Sequence, residues 1–351
     1  MVKFIVRRLF NGSLVMFGVV VVTFLLYHTL PGDPVNMMAG NSSSMETRQH
    51  MREELGLDQP LLQQFVIYIN DLSVVSVHAN TEENKSKYDY WLLLPLGEHA
   101  LTLKSPYLRR SFRSNKRVDD ILLEHLPGTL WLTLVSIVFA AIVGIVIGGI
   151  AALNYGSYID NFLMSSSVLG ISTPSFVSAI VISITFGYYL SDYTHLNMTG
   201  SLWETDPIYG RQLQLKNIIL PALTLGIRPL TIIAQLTRNA MLDVLSQDYI
   251  LTAKAKGLPP FTIIVKHALK NALNPVVTAI SGWMASLITG AFFVEYIFKW
   301  KGIGMKTIQA VEYLDLPIII GATLMISGIF VLINLFVDIL YAGLDPRIRL
   351  N

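Results

Sequence analysis

The chain has 351 residues, of which 52% are apolar and 14% charged, with a mean hydropathy of +0.52. Soluble proteins carry about a quarter charged residues, so a soluble globular domain is excluded and a polytopic membrane protein is indicated. The net charge of +2 comes from basic residues spread along the chain, which gives no ground for nucleic-acid binding, and zero cysteines exclude disulfides and thiolate chemistry while leaving the compartment open.

The first apolar run, Leu9–Leu30, follows Lys3, Arg7 and Arg8. It is too long for a signal peptide and no small-x-small cleavage site follows, so it reads as an anchoring helix that ends a segment 1–30. The segment 31–128 is the one candidate for an extramembrane domain. In it, Met45–Leu72 places Met51, Leu55, Leu57, Leu61, Leu62, Phe65, Val66, Tyr68 and Ile69 at roughly helical spacing, punctuated by Gly56 and Pro60. Val77–Arg117 is polar and irregular, with NTEENKSK and RRSFRSNKR, and reads as a solvated loop or small hairpin.

Residues 129–351 hold five more runs, at about 129–153, 161–190, 217–237, 271–294 and 316–343. Gly144-x-x-x-Gly148 in the second span suits close helix packing. Pro174 in the third should kink it and free a carbonyl, as a packing kink or as an element of a pathway with Ser172 and Phe176. Arg228 and Pro229 interrupt the fourth. The expected fold is an all-α polytopic membrane protein of six spans, with a large extracytoplasmic segment after the first and a cytoplasmic loop, 238–275, between the fourth and fifth.

Orientation follows from basic residues in the short loops. With the N-terminus inside, the inner segments hold Lys3, Arg7, Arg8, Arg238, Lys254, Lys256, Lys266, Lys270, Arg347 and Arg349, against Arg211, Lys216, Lys299, Lys301 and Lys306 outside. Both termini are therefore expected in the cytoplasm.

Catalytic chemistry is sparse. GIGMKT at Gly302–Thr307 lacks the Gly before Lys that a phosphate loop requires. An intramembrane serine hydrolase would pair Ser172 with His28, but at ~1.5 Å rise per residue their depths should differ by roughly 15 Å, far beyond hydrogen-bond reach. The seven histidines form no i, i+4 metal pair. The spans show no midplane acidic relay of the kind that a proton- or ion-coupled carrier uses, and an ATP-independent channel or carrier stays as the alternative of another class; Asp338 reads as an inner-end charge near Arg347. No catalytic residue, metal site or cofactor site is assigned.

The loop is the informative element. Asp248–Lys256 suits a short helix that Gly257 stops, and Pro259-Pro260 starts another at an angle. In the second, Phe261, Ile264, Val265, Ala268, Leu269 and Ala272 share one stripe, with Lys266, His267, Lys270 and Asn271 opposite. Ala253 and Ala255 leave room for a groove on another protein; the alternative is a helix lying on lipid headgroups.

Asp248-Tyr249-x-x-Thr252-Ala253-x-Ala255-Lys256-Gly257-Leu258, followed by His267-Ala268-Leu269-x-Asn271-Ala272-Leu273-x-Pro275, resembles the coupling motif of ABC importer permeases of the dipeptide, oligopeptide and nickel branch. Arg7-Arg8-Leu9, Pro31-Gly32-Asp33-Pro34, Leu55-Gly56-Leu57-Asp58, Pro127-x-Thr129-Leu130, Ser172-x-Pro174-x-Phe176, Leu220-Pro221-Ala222, Val294-Glu295-x-Ile297-Phe298 and Asp345-Pro346-Arg347 extend the likeness over nearly the whole chain. Two departures stand out: an insertion near 73–104, and Trp300-Lys301-Gly302 where relatives carry Pro-Gly, expected to alter only a local turn because Gly302 and Gly304 keep it flexible.

The resemblance implies a permease subunit in a bacterial inner membrane. Its partners would be a second homologous permease, two cytoplasmic ATP-binding subunits that hold ATP and magnesium, and an extracytoplasmic solute-binding protein. It assigns docking to the ATPase to Tyr249, Thr252, Ala253, Ala255, Lys256, Gly257 and Leu258. Peptide is the expected cargo, with nickel or a metal chelate second.

Overall fold

The computed structural model describes residues 2–29, 45, 49, 52 and 57–344. Most of the expected helix start 45–56, and the motifs Pro31-Gly32-Asp33-Pro34, Leu55-Gly56 and Asp345-Pro346-Arg347, lie outside them.

Helix α1, Val2–Thr29, is the first span. After Pro60 the chain forms α2, Leu61–Leu72, and then strand β1, Val75–Ala79. Helix α3, Glu82–Tyr88, starts where Thr81 accepts a hydrogen bond from the Asn84 amide, with Glu82 and Glu83 at the positive end of its dipole. Strands β2, Trp91–Leu96, and β3, His99–Leu103, meet at Gly97, whose φ of +73° suits a residue without Cβ. The sheet is antiparallel in the order β1-β3-β2, with Val77 opposite Leu101 and Leu94 opposite Leu101 on the other side.

This sheet departs from the all-α expectation and from the reading of 77–117 as a solvated loop or single hairpin. The polar run NTEENKSK contributes helix α3. The inward positions of the strands are Ser76, His78, Ala100 and Thr102, all buried, while the leucines of β2 are exposed. Polar-in and apolar-out inverts the usual alternation, so the period-two signal was present with the opposite sign. Ser76 and Thr102 satisfy one another through hydroxyls 3.0 Å apart.

Helix α4, Val118–Leu153, begins well before the apolar run at 129, with Asp119 and Asp120 in its first turn. Helix α5, Tyr158–Ser172, is capped by Ser157, and α6, Ser175–Ile184, runs on into a π-helical turn, Thr185–Tyr189. A short helix α7, Ser191–Thr194, precedes the hairpin of β4, Trp203–Asp206, and β5, Gly210–Leu213. A 3₁₀ turn, Leu215–Ile218, opens α8, Ile219–Leu245. Then come α9, Asp248–Ala255; α10, Pro260–Thr262, continued by a π-helical stretch Ile263–Leu269 and α11, Lys270–Ile297; α12, Ile303–Glu312; and α13, Leu316–Leu344.

Five helical stretches among the described residues are long and apolar enough to cross a membrane: Ile5–Thr29, Val118–Leu153, Leu215–Leu245, Pro260–Ile297 and Leu316–Ile339. Tyr158–Ser172 and Ser175–Tyr189 form a sixth if the pair, bent by 109°, counts as one span. Pro174 supplies the break, since it has no N–H to continue the helix of α5.

The chain divides into two compact units. One holds Phe10–Glu124 with Gln309–Gly328. Its core joins Phe24, Tyr68 and Leu324, and the Arg109 guanidinium stacks 4.7 Å from the Tyr27 ring. Asp315 accepts from the Ser111 hydroxyl at 2.6 Å and the Phe112 amide at 3.1 Å.

The other unit holds Met1–Leu9, His125–Ile308 and Ile329–Asn351. Helix α8 is its centre, packed against α5, α6 and α11, and 67% of its apolar window is buried. A Cβ at Gly144 would lie 2.9 Å from the Leu230 carbonyl oxygen, and one at Gly148 would overlap the Ala234 carbonyl. The Gly144-x-x-x-Gly148 spacing therefore serves close approach of α4 to α8, as the sequence suggested.

Candidate functional site

The loop between α8 and α11 folds on a small apolar base. Ile250, Ala253, Ile263, Ala268 and Ala272 are buried together with Met241 of α8 and Ala152 of α4. Helix α9 ends in a Schellman arrangement: the Gly257 amide donates to the Lys254 carbonyl at 2.9 Å and the Leu258 amide to the Ala253 carbonyl at 3.3 Å. Gly257 has φ +74°, and a Cβ there would meet nothing within 4 Å, so the need for glycine is conformational rather than steric.

Of the residues assigned to docking, Tyr249, Thr252, Ala255, Lys256, Gly257 and Leu258 are exposed. Ala253 is not: it is 7% exposed and packs inward. Its small size suits the base under α9, where it packs with Ile250 and Met241. The Tyr249 hydroxyl accepts from the Asn271 amide group at 2.8 Å, tying α9 to the start of α11.

The expected stripe of the second loop helix is also shifted. Ile263, Ala268 and Ala272 are buried, but Phe261 and Val265 are exposed. The π-helical stretch Ile263–Leu269 explains this: its slower winding brings Ile263 and Ala268 to the same side, whereas a 3.6-residue period groups Ala268 with Val265 and turns Ile263 away.

Ser172, Pro174 and Phe176 are all exposed at the α5–α6 break, and Phe176 sits 6.1 Å from the Phe293 ring. A cavity of about 220 Å³ opens beside the break, but its lining comes from their neighbours, among them Thr173, Ser175 and Ser178, with Arg228, Trp283 and Ser286 from α8 and α11. The Arg228 guanidinium donates to the Thr173 carbonyl at 3.4 Å. The sequence offered a signal for this cluster in the mid-span charge at 228, which the interruption of the apolar run disguised.

The serine hydrolase reading finds no support in local geometry. The Ser172 hydroxyl donates to the Val168 carbonyl at 3.1 Å, and both ring nitrogens of His28 are engaged, by the Phe24 carbonyl at 2.9 Å and the Gln64 side chain at 2.7 Å.

Two ion pairs secure helix ends. Arg238 grips Asp160 through two hydrogen bonds of 2.6 and 2.7 Å, joining the start of α5 to α8. Asp338 pairs with Arg8 at 3.0 Å, whereas Arg347, its expected partner, lies outside the described residues.

At the far end of α11, Glu295 is fully buried and accepts from the Thr129 hydroxyl at 2.7 Å and the Met305 amide at 3.1 Å. Thr129 in turn accepts from the Ile303 amide at 2.9 Å. Trp300, also fully buried, donates its indole N–H to the Gly128 carbonyl at 2.9 Å. The Trp300-Lys301-Gly302 departure is therefore more than a local turn. Gly302 and Gly304 do not serve as flexible positions either: a Cβ at Gly302 would overlap the Glu295 carboxylate, and one at Gly304 would lie 2.9 Å from it.

Comparison with known proteins places these features in a family. The model of the binding-protein-dependent transport system inner membrane component matches residues 144–350, and that of the N-terminal part of the membrane component matches residues 1–88. The chain is 34% identical to the dipeptide transport system permease protein DppB of Bacillus subtilis (strain 168), over 100% of this chain and 99% of that protein. It is 35% identical to the di/tripeptide transport system permease protein DppB of Pseudomonas aeruginosa (strain UCBPP-PA14), covering 99% of each, and 34% identical to the glutathione transport system permease protein GsiC of Escherichia coli (strain K12), again covering 99% of each. Among solved structures, the inward-facing MetNI methionine ABC transporter aligns over 65% of this chain and 97% of its own at 18% identity, with a TM-score of 0.48. With apolar helices for five or six spans and relatives matched from end to end, the chain belongs to the binding-protein-dependent transport system inner membrane components, the multi-pass permease subunits of ABC importers.

Proposed function

We propose that this chain is one of two nonidentical permeases of an ATP-driven importer of di- or oligopeptides, coupled to ATPase subunits through α9 and the turn at Gly257. The observation that carries the reading is the pairing of a buried base with an exposed row. Ile250 and Ala253 pack α9 against Met241 of α8, and Tyr249, Thr252, Ala255, Lys256 and Leu258 are exposed on the same helix and turn.

Peptide is favoured over nickel because the relatives above are named for dipeptide, di/tripeptide and glutathione transport. In this reading both termini and the 238–275 loop lie in the cytoplasm, and the sheet between the first two spans faces the solute-binding protein. ATP and magnesium are held by the ATPase subunits. Their closure pulls the loop helix, and the spans switch between inward and outward openings as a two-state element.

The test uses the full complex in proteoliposomes. A charge buried without a partner at an interface costs about 2 kcal/mol or more, over roughly thirtyfold in affinity. Ala255→Glu and Leu258→Asp should therefore insert normally, lose the ATPase subunits on purification and abolish peptide uptake. Wild-type peptide-stimulated ATP hydrolysis in both variants would overturn the coupling assignment.

A further inference from the structure

Arg228 stands thirteen residues from the start of the span Leu215–Leu245 and seventeen from its end, and its side chain is exposed on this chain. A guanidinium at that depth facing hydrocarbon is costly even on insertion scales, so such residues face a bundle interior or a water-filled cavity. Arg228 does line a cavity, one of about 220 Å³, walled by Thr173, Ser175, Ser178, Trp283 and Ser286. Among the described residues its lining holds no carboxylate to neutralise the charge.

The polar side of that wall is uniform in kind, set against an apolar side formed by Leu225, Ile227 and Leu287. A fixed cation stands among hydroxyl groups, with Thr173 and Ser178 already linked at 3.0 Å and Trp283 offering an apolar face. Ser175 and Ser178 belong to the first turn of α6, whose dipole also presents positive potential to the cavity. The α5–α6 break therefore brings the start of a half-helix and a guanidinium to one space near mid-span, an arrangement that suits an anionic group of a passing solute.

The geometry points to a transient carboxylate subsite here: Arg228, assisted by the hydroxyls of Thr173, Ser175, Ser178 and Ser286, receives the C-terminal carboxylate of a peptide in transit. The inference rests on the peptide-import reading and adds to it that the permease itself discriminates a free acid from a C-terminal amide. A guanidinium offers a planar fork that matches a carboxylate, and lysine at the same place keeps the charge without the fork.

Because this chain has no cysteine, Ser286→Cys in the assembled transporter gives it a single thiol at the cavity wall. Its labelling is measured with a sulfonate-bearing and a trimethylammonium-bearing methanethiosulfonate. The anionic reagent should react faster relative to the cationic one by about tenfold, the scale of one charge-assisted hydrogen bond. Adding Arg228→Gln should remove that bias and Arg228→Lys should retain it. A free-acid dipeptide should slow the labelling more than its amide, and only with Arg228 or Lys present.

Equal rates with both reagents, no reaction with either, or a bias that survives Arg228→Gln would overturn the subsite. A carboxylate supplied by the second permease would produce one of the first two results. Failure of the peptide reading is separate: it would show as wild-type complex without ATP-dependent peptide uptake, whatever the labelling bias.

Discussion

Glu295 is a carboxylate with no exposure at the end of a membrane span, and three backbone or hydroxyl donors converge on it or on its partner Thr129. Glycine at 302 and 304 is the spatial counterpart of that carboxylate. Gly302→Ala should therefore destabilise the protein by about 1–3 kcal/mol through overpacking. Glu295→Ala should cost at least as much, since it leaves the Thr129 hydroxyl and the Met305 amide without their acceptor. In the Glu295→Ala background the alanine at 302 meets vacated space, so its extra cost should shrink. Thermal unfolding of the four-member cycle in detergent reads this coupling, and strict additivity would mean that the two sites do not touch. At this scale the sequence was partly legible. The positive φ of Gly257 follows from a glycine placed just past a short helix, whereas the inward turn of Ala253 depends on Met241 and Ala152, residues far from it in the chain.

Among elements, the sheet between the first and second spans illustrates what local pattern conceals. Its interior is polar, with His78 stacked 4.1 Å from the Tyr88 ring and Tyr88 donating to Asp71 at 2.9 Å. The Lys104 ammonium donates to the Asp71 carbonyl. Burial, reinforced by the charges of Lys104 and Lys87, pushes the His78 imidazole down to about 4 from 6.5. The folded segment thus binds fewer protons than the unfolded one between those values. The His78 contribution to stability is complete above pH ~6.5, declines as the pH falls towards 4 and levels off below it. Burial pushes the Asp71 carboxyl upward, which gives a slope of opposite sign, so the diagnostic quantity is the difference between wild type and His78→Phe. Hydrogen exchange of β1 and β3 amides should show acid loosening that the variant lacks; identical profiles would remove His78 from the account. Helical spans were legible because lipid imposes length and apolarity on them, and neither constraint applies to a three-stranded sheet with serine, histidine and threonine inside. The π-helical stretch was invisible for a related reason: the sequence fixes which residues are apolar but not the period at which they will be read.

At the level of the molecule, the spans were found by composition alone, and the structure lengthened them: the second starts at Val118 and the fifth at Pro260, beyond the apolar runs that announced them. Pro174 marked the one break correctly, but not its 109° bend, which depends on how α5 and α6 each pack against α8. The proposed orientation has a direct check in the absence of native cysteine. Tyr209, exposed between β4 and β5, and Ser246, exposed after α8, fall on opposite sides of the membrane in that orientation. An impermeant maleimide added to intact spheroplasts should label Tyr209→Cys at once and Ser246→Cys only after lysis. The reverse order would turn the chain over and remove the loop from the side where ATP is found.

The stretch Pro260–Ile297 runs for 38 residues with α10, the π-helical turns and α11 joined end to end. One end rests against α9 and the other carries Glu295. At about 100° of rotation per residue, one amino acid inserted or deleted along this rod would leave both ends intact yet turn them out of phase by more than a quarter of a circle. Its residue count is therefore an angular setting, as fixed as the timing between two gears on one shaft, and the π-helical stretch, which winds more slowly than an α-helix, is part of how that angle is set.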